Sequence, residues 1–189
     1  GLFKKEYISD HNLVLYLCNS YNEEYFAANR FRLLVGWNPT SLLQIAEHNG
    51  WLPLHYAGLR NSIEGFKLVF NYAIRYYPIM KGIHLLYTKS YLWETPFQIA
   101  CHKYGRDKVM NVVDDTLTQY SPETPLHSVE ALIVAASDRD IHVDCVYFLL
   151  RREPDLVLGL LQGFTNNNNN NDCTNDGTDG DNEGNGSDA

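Results

Sequence analysis

The sequence predicts an all-α chain: a solenoid of about four helix-turn-helix units with short connecting turns, plus a disordered C-terminal tail. Three observations lead there. Pro-Leu-His occurs twice, at Pro53-Leu54-His55 and Pro125-Leu126-His127, with a degenerate copy, Pro96-Phe97-Gln98, between them. Each copy opens a short apolar run, followed by a polar break and a longer amphipathic run. No stretch alternates apolar and polar residues for long enough to demand a sheet. A chain that repeats one helical hairpin stacks units in a row and exposes a surface, rather than closing around one pocket.

Taken in order, Leu13–Cys18 and Tyr25–Val35 read as a first hairpin with a weakly marked opening. The dipeptide Asn49-Gly50 marks a tight turn, because both residues tolerate positive φ. Pro53 then suits a first helical position, having no N–H to lose there. Leu52 precedes it and cannot cap. At Thr95-Pro96 and Thr124-Pro125, by contrast, the threonine hydroxyl can accept from a free N–H of the first turn. The second helices show spacings of three and four: Ile63, Phe66, Val69, Phe70, Ala73 and Tyr77; then Val109, Val112, Val113 and Leu117; then Val143, Val146, Leu149 and Leu150. Pro39, Pro78 and Pro154 stand where helices should end, 39 and 76 residues apart, close to one and two steps of one period. The wide interval between Pro53 and Pro96 places extra length in 78–93, as a longer finger loop or a displaced helix end.

Domain boundaries follow from composition. Residues 1–164 form the expected repeat domain, clearest over 49–158, and 165–189 the expected disordered tail. The tail holds six consecutive asparagines, Asn166–Asn171, and too little apolar surface to offset its ordering entropy. The net charge is −8, but six acidic residues and no basic one lie from Thr165 onward, leaving the preceding residues at −2. Without clustered Lys and Arg there is no electrostatic case for nucleic acid. The longest apolar runs are six residues, far from the ~20 of a membrane span. Cys18, Cys101, Cys145 and Cys173 show no metal-type spacing and read as reduced thiols of an intracellular, cytoplasmic protein, with the nucleus left open. The start at Gly1 suggests a fragment.

The residues around the three motif copies resemble ankyrin repeats. They are Asn49-Gly50-Trp51-Leu52-Pro53-Leu54-His55-Tyr56-Ala57, then Glu94-Thr95-Pro96-Phe97-Gln98-Ile99-Ala100, then Glu123-Thr124-Pro125-Leu126-His127-Ser128-Val129. Leu52, Gln98 and Val129 depart from that family's pattern. The resemblance implies an ankyrin-repeat solenoid in which neighbours cover one another's apolar faces. It makes His55 and His127 structural, tying a helix start to the adjacent loop. It also places Trp51, Tyr91 and Trp93 at variable turn positions, and Arg60, His102 and Lys103 at the ends of first helices, as protein-binding candidates. Trp51 and Trp93 have a second reading, in which each folds back onto a neighbouring unit.

No phosphate-binding glycine loop, HExxH or GxSxG occurs. Cys101 and His102 are helix neighbours pointing ~100° apart, which disfavours a thiol–base pair. Asp114-Asp115 and Asp138-Arg139-Asp140 read as helix-surface charge and an inter-helix loop. The expected function is therefore a non-catalytic, monomeric scaffold without cofactor or metal. It binds a partner protein through its concave face and finger turns. A regulatory fragment of a larger multidomain protein is the alternative, and a metal-dependent hydrolase the third reading.

Overall fold

The computed structural model describes residues 4–20, 26–77, 81–120, 128–152 and 154–155. The tail, Thr124, Pro125, His127, Pro78 and Cys173 lie outside these residues. The described chain is helical, and its sole β-type pairing is an isolated antiparallel bridge between Thr88 and Ile141. The helices are α1 (Glu6–Asp10), α2 (Leu13–Cys18), α3 (Ala28–Trp37), a 3-10 helix (Pro39–Leu43), α4 (Pro53–Arg60), α5 (Ile63–Tyr76), α6 (Lys81–Tyr87), α7 (Pro96–Tyr104), α8 (Arg106–Tyr120), α9 (Ser128–Ser137) and α10 (Asp144–Arg152). One compact unit runs to Pro154.

Helices α4 and α5 pack as a pair, as do α7 and α8. Across pairs, α2 meets α4 and α4 meets α7, while α3 meets α5 and α5 meets α8. The expected faces of α5 and α8 are buried: Phe66, Val69, Phe70 and Ala73 on one, Val109, Val112, Val113 and Leu117 on the other. The approach between α4 and α7 is close. A Cβ on Gly58 would lie 3.3 Å from the Pro96 carbonyl oxygen and 3.4 Å from the Ala100 nitrogen. A larger residue there would drive the two helices apart.

Two expectations are corrected. The extra length in 78–93, expected as a longer finger loop or a displaced helix end, includes a separate helix, α6, whose Ile83, Leu85, Leu86 and Tyr87 are core residues. Pro39 does more than end a helix, since it opens the 3-10 helix. Each helix pair is thus followed by a third short helical segment, the 3-10 helix after α3, α6 after α5 and α9 after α8. The expected helix opening at Pro125 lies outside the described residues; the described helix α9 reaches α6 through His84, whose Nε2 is 3.4 Å from the Ala131 carbonyl oxygen. The start of α10 touches α7 at one point, where Gln98 Nε2 lies 3.5 Å from Asp144 Oδ2. The 29 residues from Pro96 to Pro125 cannot hold both α7 and the 15-residue α8 and still leave room for a turn and a third segment.

The face expected for α10 is displaced as well. Val143 is 53% exposed and precedes the helix, which buries Cys145 and Leu149 instead. The cause is local. His142 Nδ1 accepts the Asp144 N–H at 3.2 Å, so the helix starts one residue later than the apolar spacing suggested.

Candidate functional site

The three turns that precede α4, α7 and α10 lie side by side, joined by main-chain hydrogen bonds. The Tyr91 N–H donates to the Asn49 carbonyl at 3.1 Å, the Lys89 N–H to Asp140 at 2.7 Å, and the His142 N–H to Tyr87 at 2.9 Å. Beneath them, buried side chains tie each turn to the next helix. His55 is fully buried: its Nδ1 accepts the Leu52 N–H at 3.0 Å, and its Nε2–H donates to the Glu94 carbonyl at 3.2 Å. These two bonds fix the tautomer and satisfy the Leu52 N–H, which keeps one half of a reciprocal cap where the leucine side chain accepts nothing. Burial pushes the imidazole down to about 4, against the smaller opposing effect of its bonds to backbone carbonyls. Gln98 does the equivalent work one unit on. Its Oε1 accepts the Thr95 N–H at 3.1 Å while Thr95 Oγ1 accepts the Gln98 N–H at 3.2 Å, a reciprocal cap.

The first turn is shaped around Gly50, at φ +73°. The Tyr91 ring lies against it, so a Cβ there would sit 2.6 Å from a ring carbon. In the second turn the nearly buried Ser90 organises the backbone: its hydroxyl accepts the N–H groups of Leu92 and Glu94, both at 3.2 Å, and its carbonyl accepts from Trp93 at 3.0 Å. This network holds Trp93 at φ +67°, a left-handed conformation that bulky residues rarely adopt. Tyr91, Leu92 and Trp93 are 63%, 69% and 72% exposed, three large apolar side chains in succession. The Lys89 ammonium sits 4.8 Å from the Trp93 ring centroid.

The structure separates the two tryptophans. Trp51 folds back, stacked on the His55 ring at 5.9 Å between centroids and edge-on to Tyr56 at 5.0 Å, whereas Trp93 projects outward. Of the helix-end candidates, His102 is exposed and Arg60 is half-buried. The Lys103 ammonium donates to the carbonyls of Leu59 at 2.8 Å and Asn61 at 3.0 Å, closing the C-terminal end of α4, and the Tyr104 hydroxyl also donates to Asn61. Leu92 was not singled out from the sequence. An isolated leucine in a turn carries no signal until its neighbours' exposure is known.

Beside the first turn a cleft of about 250 Å³ is lined by Asn12, Tyr16, Asn19, His48 and Tyr56. The Tyr56 hydroxyl links its wall to the turn, accepting from Asn49 Nδ2 and lying within reach of His48 Nε2, both at 3.3 Å. On the outer helices the carboxylates meet cations: Asp115 pairs with Lys67 at 3.0 Å and Asp114 with Arg152 at 3.1 Å. Cys101 is half-buried, and its thiol is pushed up by burial, so it is not poised as a nucleophile. Among the described residues no group of three His, Cys, Asp or Glu side chains forms a metal site, and no helix is long and apolar enough to cross a membrane.

Comparison with known proteins returns no matching family model, no matching curated protein and no matching solved structure.

Proposed function

We infer that the chain is a non-catalytic interaction module of ankyrin-repeat type, which binds a partner protein through its turn edge and the adjoining ends of its first helices. The observation that carries this reading is the repeated tie beneath the turns. His55 caps its own helix and reaches the next turn, and Gln98 caps its own helix and reaches toward α10. Such ties make the turn row rigid, and rigidity lowers the ordering penalty of association. Exposed aromatic side chains on a rigid support are the residues that dominate binding energy at protein interfaces.

The test is affinity capture from native cell extract with the full chain. The double variant Tyr91→Ala, His102→Glu is compared with Asp115→Ala on the outer helices. A reproducible partner that the double variant loses and the control keeps supports the reading. No reproducible partner, or equal loss with the control, sinks it.

A further inference from the structure

Tyr91 rests its ring on Gly50, but Leu92 and Trp93 beside it contribute little packing, and still the fold holds this tip in a defined shape. All three side chains are mostly exposed, while four backbone or hydroxyl contacts centred on Ser90 fix the chain beneath them. The backbone at Trp93 is left-handed, where glycine or asparagine would be accommodated more easily. A bulky side chain kept in that conformation, and turned outward, points to use of the side chain itself.

Resting on the binding reading above, we propose that Trp93, flanked by Leu92 and Tyr91, is the anchor of the interface, and that its partner is a folded protein offering an apolar pocket bordered by a carboxylate. The carboxylate follows from Lys89. Its ammonium stands over one face of the indole ring, and among the described residues it makes no ion pair. A partner that receives the indole therefore meets a positive charge at the rim of its pocket, and a carboxylate there is the complementary group. A bilayer fits less well. Glu94 follows the tip directly and is exposed, and Lys89 is joined through its backbone to Asp140, so carboxylates accompany the apolar side chains to the surface. A layer of anionic headgroups covers the whole tip and would meet both carboxylates, whereas a single carboxylate at a pocket rim need meet only the Lys89 ammonium.

The experiment uses the full chain in native cell extract with a zero-length carbodiimide, which joins an amine only to a carboxylate in contact with it. The expected product joins the Lys89 amine to an aspartate or glutamate of one partner. Its yield falls at least tenfold in Trp93→Asn and is largely retained in Trp93→Phe. Asparagine tolerates the left-handed backbone, so an unchanged or higher melting temperature in Trp93→Asn shows that the loss is not unfolding. A partner captured through other lysines, insensitive to Trp93, overturns this proposal and leaves the interaction module standing; no partner at all overturns both. A Lys89 crosslink to a carboxylate of a second copy of this chain overturns it too. So does Trp93-dependent sedimentation with phosphatidylcholine–phosphatidylserine vesicles.

Discussion

The His55 imidazole and the Glu94 carbonyl, 39 residues apart in sequence, are joined by a 3.2 Å hydrogen bond. The same ring accepts the Leu52 N–H on its other nitrogen, so one buried side chain sets both the start of α4 and the position of the following turn.

His55→Ala removes both bonds, leaves the buried Leu52 N–H without a partner and the Glu94 carbonyl with the Ser90 N–H alone, and opens a cavity. It should destabilise the fold by about 2–4 kcal/mol in urea denaturation. His55→Gln should recover at least half of that loss, because Gln98 performs the equivalent task beside Thr95.

Acid should weaken the fold through the same ring. In the unfolded chain the imidazole titrates near its ordinary 6.5, and in the folded chain only at about 4. The unfolded state therefore binds more protons between these values, and stability falls as pH drops from 6.5 toward 4, by about 3 kcal/mol at the lower end. His84, also pushed down by burial, acts in the same direction. Urea midpoints at pH 7 and pH 4.5 should differ clearly in the native sequence, with a smaller difference in His55→Gln.

Gly58→Val should lower stability by about 1–3 kcal/mol, despite valine's better helix propensity, because the backbone of α7 stands within 3.3–3.4 Å of the new Cβ. A melting temperature equal to or above that of the native chain would mean that α4 and α7 can separate at little cost.

Trp93→Asn should leave stability unchanged or raise it by up to about 1 kcal/mol. It relieves a left-handed backbone and removes a side chain that is mostly in water. Thermal unfolding checks this directly.

Thiol labelling should sort the cysteines. Burial raises the Cys145 thiol to about 12 and raises Cys18 further, so neither should react with a thiol reagent at pH 8 until the fold opens. Half-buried Cys101 should react first among the three. Rapid labelling of Cys18 in the native state would contradict the packing of α2.

Much of this architecture is legible in the residues. The faces of α5 and α8 follow from their spacing, because long amphipathic runs repeat the helical period several times. The caps at Thr95 and Pro96 are equally plain, since local hydrogen-bond chemistry sets them. The segment α6 is not legible: seven residues are too few to show a period, and the extra length there reads equally as a longer finger loop or a displaced helix end. The start of α10 depends on the His142 cap, which competes with an apolar spacing that favours Val143. The two tryptophans are indistinguishable from composition. Trp51 turns inward because His55 and Tyr56 offer it rings to pack against, and Trp93 turns outward because Ser90 fixes the backbone that carries it.

The bonds that join neighbouring turns run from peptide N–H to peptide C=O, at Tyr91–Asn49, Lys89–Asp140 and His142–Tyr87. Bonds of this kind are indifferent to which amino acid carries them. Leu92, which is exposed and sits at an ordinary backbone angle, can therefore be exchanged while the supporting frame stays as it is, and Trp93 can be exchanged for residues that tolerate its left-handed backbone. The chain has in effect partly decoupled its recognition vocabulary from its structural grammar, and a library free at Leu92, restricted to Gly, Asn, Asp and aromatic residues at Trp93 and aromatic at Tyr91 should yield folded members with altered specificity.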